Sequence, residues 1–236
     1  MQNVDTRITP SLHPENVTAI EGYGDDTASE LAPTLTAFNV AYSNLIAIHD
    51  ARTSAKTNPT WNVAQQILAT DDYASKRLTQ ITQAFDAARH GLAAGIDNLE
   101  KELSEPVSSN AANPISAEIR AHVKAMKSTE RLDFITHAIE AGDEVTAMAV
   151  LGTVPFLSGI NGEMQDVLTR LYRRQSSPDK AKRLAVLTAA KDLIEDRGRL
   201  LFKEVERAVG ASPSKVKALR DAKTAAERAF IIRDAA

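Results

Sequence analysis

The residues that could do chemistry are few and widely spaced along the chain. It has five histidines and no cysteine, which excludes disulfides, thiolate metal sites and cysteine nucleophiles. Two acid–histidine pairs have i,i+4 spacing, Glu118 with His122 and Asp133 with His137, so each pair shares one helix face. Such pairs are usually solvent-facing contacts, and neither belongs to an HExxH or Glu-x-x-His ligand set. We therefore expect no metal ion and no cofactor.

The patterns of known phosphate, cation and nucleophile sites are also missing. Asp71-Asp72 and Gly24-Asp25-Asp26 resemble fragments of cation sites, but neither has the alternating oxygen ligands and fixed glycine of an EF-hand. No P-loop, dinucleotide fingerprint or Gly-x-Ser-x-Gly elbow is present. The sequence favours a non-enzymatic protein, and an enzyme whose catalytic residues form no known motif is the least favoured alternative.

Basic side chains are concentrated in the C-terminal third. Residues 1–163 hold 11 Lys and Arg against 21 Asp and Glu, while residues 164–236 hold 17 against 10. The two ends could therefore attract one another, although differently charged solvated faces are the simpler interpretation. The candidate basic patch consists of Arg170, Arg173, Arg174, Lys180, Lys182 and Arg183.

This basic patch could neutralise phosphates, and each such contact would steepen the salt dependence of binding. Only Tyr172 and Phe202 are available nearby as stacking aromatics, and acidic residues interrupt the segment repeatedly. We therefore favour a solvated face, or one that docks on acidic residues, over a nucleic-acid site.

Two long helical patterns dominate the N-terminal half. One begins near Ser29 and ends at the loop Lys56–Pro59, and the other fills Pro59–Leu103 with apolar residues at steps of three and four. Two long helices joined by a short loop predict an αα-hairpin with coiled-coil packing. The second helix overshoots the first, so its end must be covered by the C-terminal half or by another copy of the chain. The residues of this candidate interface are Leu92, Ile96, Leu99 and Leu103.

The whole chain is predicted to be all-α, because no stretch shows the period-two alternation of a strand. Residues 1–27 predict an extended arm, held by neighbouring subunits or folded over its own domain. Residues 28–104 form the long hairpin, Ser104–Pro114 a linker, and residues 114–236 a C-terminal bundle of shorter helices. No secretion signal or apolar run of about 18 residues is visible, so we expect no membrane-spanning segment.

One segment resembles a known group of proteins. Ile139-Glu-Ala-Gly-Asp-Glu144 and Ala147-Met-Ala-Val-Leu-Gly-Thr-Val-Pro-Phe-Leu-Ser-Gly-Ile160 are similar to segments of uncharacterised helical structural proteins of tailed bacteriophages and prophages. The resemblance implies a virion component or a head-associated assembly protein, located in the virion or the host cytoplasm. Independently of it, Gly152–Gly159 predicts a compact corner between helices, with Phe156 and Leu157 filling the core.

Two functions of different class follow. The preferred one is a structural or assembly protein that contacts other protein subunits through its helices, as a homo-oligomer or as part of a larger assembly. The alternative is a cytoplasmic nucleic-acid-associated protein that uses the basic C-terminal helices.

Overall fold

The chain is all-α, as predicted, with 81% of it helical and no strand in the part that the structure describes. The computed structural model describes residues 4–110 and 114–230, without the side chains of 105–110. Three short 3-10 turns accompany the α-helices, at Pro10–Leu12, Pro155–Ser158 and Arg228–Phe230. The α-helices of the described residues are α1 Glu15–Thr18, α2 Ala28–Ala55, α3 Val63–Asn110, α4 Pro114–Ala125, α5 Ser128–Glu140, α6 Glu144–Leu151, α7 Gly162–Ser176, α8 Pro178–Gly198, α9 Leu201–Val209 and α10 Pro213–Glu227.

The chain forms two compact units. The first comprises residues 1–91 and 190–236, and the second comprises residues 92–189. This division differs from the sequence-based boundaries at 27, 104 and 114, because α3 and α8 each contribute residues to both units. The sequence of a continuous helix such as α3 does not show where one unit ends and the next begins. That boundary depends on which residues each end of the helix contacts.

The core of the first unit is built on α2. Leu31, Phe38 and Leu45 of this helix are fully buried, and α2 packs against α9. The ring of Phe38 lies 5.3 Å from that of Phe85 in α3, and Arg77 donates to Asn44 Oδ1 at 3.1 Å. Phe38 comes before Asn44 in α2, whereas its partner Phe85 comes after Arg77 in α3, so the two helices run antiparallel where they meet.

The N-terminal segment is folded, not extended, which corrects the prediction for residues 1–27 over the described residues 4–27. It contains the Pro10–Leu12 turn and α1, and it buries Ile8, Leu12 and Val17 against its own unit. Contacts with α2 and α9 hold it there. The prolines that suggested an extended arm instead begin short helical turns, where a missing N–H costs nothing.

Polar contacts tie this N-terminal segment to the two helices beneath it. Arg7 binds the Asp5 carboxylate, and its side-chain hydrogen bonds lower the pKa of Asp5 to about 2. The Arg7 guanidinium also reaches Asp50 of α2 at 2.8 Å. The Thr9 N–H donates to Glu204 Oε2 at 3.2 Å, so a buried carboxylate of α9 accepts from the segment. Because the pKa of Asp5 is lowered, both Arg7 and Asp5 are charged at neutral pH, and their ion pair is lost as the pH falls through about 2.

The predicted linker Ser104–Pro114 is helical over its first part. α3 continues to Asn110, so the proline at position 106 does not end the helix, and residues 111–113 lie outside the described residues. Proline disfavours but does not forbid a helix interior. The polar, proline-containing composition therefore indicated a break from Ser104 onward, which the backbone does not make before Asn110.

The second unit packs α4–α7 around one apolar cluster. Its members are Val123, Ile135, Ile139, Ala147, Met148, Val150, Leu151, Ile160, Leu168 and Tyr172. The corner Gly152–Gly159 is present as the Pro155–Ser158 turn, but Phe156 is 61% exposed and Leu157 is 39% exposed. The prediction that these two side chains fill the core is therefore wrong. Ile160, directly after the corner, occupies the core instead.

The apolar composition of α2 would also suit a membrane-spanning helix. Among the described residues it is the one helix that could cross a membrane by length and composition, with a mean hydropathy of 1.2 over its best window. The same test is passed by the core helix of a water-exposed protein, and half of the window is buried inside the fold. The packing of Leu31, Phe38 and Leu45 accounts for the apolar composition of α2.

Gly210 ends α9, and its replacement by alanine is expected to lower the free energy of unfolding of the first unit by about 1–2 kcal/mol. Its φ is +77°, and a Cβ there would collide with the Arg52 guanidinium, which donates to the last turn of α9. Gly91 in α3 is the matched control, because it is helical and a Cβ there would meet nothing. Gly91→Ala should raise stability by up to about 1 kcal/mol. Urea unfolding followed by the fluorescence of Trp61, the single tryptophan, measures both.

Candidate protein-binding site

One of the exposed aromatic side chains of the first unit, Phe202, is on α9. This helix buries Leu201, Val205 and Val209 along one stripe, which follows the i, i+4, i+8 spacing of an amphipathic helix. Phe202 is off that stripe and 62% exposed. Large apolar side chains on a surface mark binding sites only when their surroundings are also apolar and concave, so the neighbourhood of Phe202 decides its meaning.

A cavity of about 570 Å³ lies on one side of Phe202. Its apolar wall is formed by Phe85, Ile194 and Leu201, all buried in the first unit. Gly198 also lines the cavity and, as a glycine, adds no side chain to it. A Cβ at this position would lie 3.7 Å from Phe85, in ordinary van der Waals contact. The end of α8 and the start of α9 thus leave an open, apolar hollow beside an exposed ring.

A groove of about 600 Å³ lies on the other side of Phe202. Ala74, Val205, Val209 and Val216 give it an apolar floor drawn from α3, α9 and α10. Phe202 lines both the cavity and the groove, and is therefore an apolar ridge between two hollows. We call Phe202 with these two hollows the α9 site.

The rim of the α9 site carries both signs of charge equally. Five acidic and five basic residues line the two hollows. One basic residue, Arg220 of α10, closes the end of the groove by binding Asp71 at 2.6 Å and also Asp72. These bonds account for the two aspartates that the sequence offered as a fragment of a cation site. The balanced rim around an apolar floor is the usual composition of a protein–protein contact.

Comparison with known proteins finds no match for the chain, whether with family models, with curated proteins or with solved structures.

The candidate interface read from sequence is covered inside the chain. Leu92, Leu99 and Leu103 are buried to within 3–6% exposure in the second unit, and Ile96 is half-buried. α8 packs closely on this part of α3, as the distance at Gly95 shows: a Cβ there would lie 3.2 Å from Leu187 Cδ1. The overshoot of α3 is thus covered by the C-terminal half, one of the two covers that the sequence allowed. It no longer argues for contact between subunits.

The candidate basic patch is partly docked on the same end of α3. Lys180 pairs with Glu102 at 2.8 Å, and Arg173 donates to Ser104 Oγ at 3.1 Å. The hydrogen bond from Lys180, together with the charge of Arg183, lowers the pKa of Glu102. These contacts correspond to the acid-docking face that the sequence analysis favoured. Arg170, Arg174 and Lys182 are exposed.

The remaining sequence candidates do not form a site. Tyr172 is 7% exposed, and its burial in the core of the second unit raises its pKa, so its ring cannot stack on a base. His122 packs edge-on against Phe134 with the ring centroids 5.9 Å apart. Within the described ranges no group of three His, Asp or Glu side chains is arranged to hold a metal. The absence of a cofactor stays a prediction.

From the sequence, Phe202 was identified only as an aromatic near the basic patch. Its position beside two hollows was not predicted. The apolar spacing after Pro178 would suit one helix as far as Ala208, whereas α8 ends at Gly198 and α9 begins at Leu201. A signal was available: Phe202 follows Leu201 directly and therefore points about 100° away from the buried stripe of α9. The hollows on either side depend on α3 and α10, which no local pattern connects to α9.

Proposed function

We propose that this chain is a non-enzymatic structural or assembly protein that binds other protein subunits along a helical face. The observation that carries the proposal is the α9 site, where an exposed phenylalanine separates two apolar hollows. Aromatic anchors set among apolar pockets supply most of the energy of protein–protein contacts. A charged rim of balanced sign then orients the partner without attracting polyanions.

The assignment to a bacteriophage particle is part of the proposal. It rests on the resemblance of residues 139–160, a segment that includes the corner with exposed Phe156. A virion or head-associated component would need surfaces that contact neighbouring subunits, and the α9 site is suited to that use. The location proposed for the protein is accordingly the virion or the host cytoplasm.

Association of the full chain tests the proposed function. We expect light scattering coupled to size exclusion to give a molar mass above the 25.5 kDa of one chain across micromolar concentrations. Phe202→Ser should shift that mass toward the monomer, because it removes the aromatic anchor. Phe156→Ser is the matched control, since it truncates an equally exposed phenylalanine outside the α9 site and should leave the mass unchanged.

A strict monomer that co-purifies with no protein subunit would contradict the proposed function. Binding to DNA or RNA that weakens steeply with salt, and is lost when Arg170, Arg173 and Arg174 are changed to alanine, would instead favour the nucleic-acid alternative. That alternative has the exposed Arg170 and Arg174 in its favour, and the docking of Lys180 on Glu102 against it.

A further inference from the structure

We infer that the subunit bound at the α9 site is a second copy of this chain, related by a two-fold axis, with Phe202 of each copy inserted into the cavity of the other. The inference rests on the proposed function and names its partner. A two-fold interface uses the same patch on both copies, so the patch must contain a projection and a matching hollow together.

The α9 site has that composition. Phe202 is 62% exposed and lines the cavity of about 570 Å³ whose wall includes Phe85 and Ile194. The cavity is large enough for a phenylalanine side chain, and its wall is apolar, so an inserted ring would meet buried carbon atoms instead of water. Because the ring and the cavity are neighbours, a rotation by 180° about an axis between them brings each ring over the opposite cavity.

The charges of the rim favour the same partner. A surface with five acidic and five basic residues has no net charge that would select a strongly acidic or basic partner. On the cavity side Asp86 already pairs with Arg89 at 3.5 Å, but on the groove side Glu206 and Asp221 are interspersed with Lys203 and Lys217. A two-fold rotation can therefore place acids of one copy against bases of the other, which a rim of single sign could not do.

Two variants separate the projection from the hollow. Phe202→Ser removes the ring and keeps the cavity. Thr82→Arg keeps the ring and places a long charged side chain in the cavity, which Thr82 lines from α3. The controls are Phe156→Ser and Thr79→Arg, the latter one turn before Thr82, exposed, and outside both hollows. If Thr82→Arg loses helical content by circular dichroism, Asp86→Trp at the same rim replaces it.

The wild-type mass should rise with concentration to a plateau at two chains. Each of the two variants alone should weaken the dimer on the order of 100-fold or more, since two aromatic anchors are lost per dimer. An equimolar mixture of the two variants should recover part of the affinity, because one intact ring can enter one intact cavity. The two control variants should dimerise like the wild type.

Four results would overturn the inference, and they differ in what they say of the proposed function. Association that neither variant weakens would place the contact away from the α9 site and remove the observation that carries the proposed function. A mixture that recovers nothing would exclude the reciprocal insertion and leave the proposed function standing. A mass that keeps rising with concentration would indicate open head-to-tail chains instead of a two-fold dimer. A strict monomer without any bound protein subunit would overturn both proposals.

Discussion

Replacing Phe38 by alanine is expected to lower the free energy of unfolding of the first unit by about 3–5 kcal/mol. Phe38 is completely buried at the centre of α2, and its ring packs against Phe85 of α3 at 5.3 Å between centroids. Truncation removes apolar contact area and leaves a hole, because the long helices on either side can close only partly. Typical domains have only about 5–15 kcal/mol of stability in total, so the variant should be close to unfolding.

Trp61 lies in the first unit, and urea unfolding followed by its fluorescence measures this loss. Phe202→Ala, measured at dilute concentration, is the control, because it truncates an exposed phenylalanine in the same unit and should change stability by less than about 0.5 kcal/mol. A loss below about 1 kcal/mol for Phe38→Ala would contradict this prediction, because it would mean that neighbouring side chains move in and fill the cavity left by the ring.

The same substitution connects stability with the proposed site. Phe85 is held by Phe38 on its inner side and lines the cavity of the α9 site on its outer side. Loss of Phe38 would free Phe85 to move inward and would change the wall that receives the partner's ring. The core of the first unit therefore determines how well the hollow is formed.

The helical class, the two long N-terminal helices and most helix starts could be predicted from sequence. The apolar spacing of α2 and α3 is local, and starts such as Asp143 and Ser212 have side chains that accept from backbone N–H groups of the first turn. What could not be predicted was which helix covers which stripe. Leu92, Leu99 and Leu103 form the same pattern whether α8 or another copy covers them.

The α9 site was out of reach for a related reason. Its hollows are formed by residues between positions 71 and 89 of α3 and between positions 194 and 221 of α8–α10, which are distant in sequence. The N-terminal segment illustrates the opposite case, since its prolines and isolated apolar residues were visible but indicated an extended arm. Only the tertiary contacts of Ile8, Leu12 and Val17 distinguish a folded segment from a free one.

The second large effect concerns Arg131, whose replacement by alanine is expected to destabilise the second unit by about 3 kcal/mol. Its guanidinium donates to Val123, Lys124 and Met126 carbonyls at the end of α4, at 3.0, 3.0 and 2.7 Å, and also to the Gly159 carbonyl. Helix ends leave their last carbonyls without partners, so one side chain of α5 caps α4 and fixes the 152–159 corner.

With alanine at position 131, the exposed carbonyls among these would hydrogen-bond to water. The buried ones would have no hydrogen-bond partner. Each hydrogen bond from a charged donor contributes about 1.5–3 kcal/mol, but bonds that share one guanidinium are not additive, which keeps the expected total near 3 kcal/mol. Arg131→Lys should fall between the wild type and the alanine variant, because one ammonium group cannot reach carbonyls on two segments.

Hydrogen exchange measured by mass spectrometry locates the effect. Amides of residues 123–160 should exchange faster in Arg131→Ala, while the Trp61 unfolding transition of the first unit stays near the wild-type midpoint. Arg170→Ala is the matched control, since Arg170 is exposed and donates to a carbonyl of its own helix. Unchanged exchange at the corner would show that Gly159 and the end of α4 are held by the apolar cluster alone. The exposed Phe156 would then owe its position to Ile160 and its neighbours in the core, and not to the arginine that joins the corner to α4.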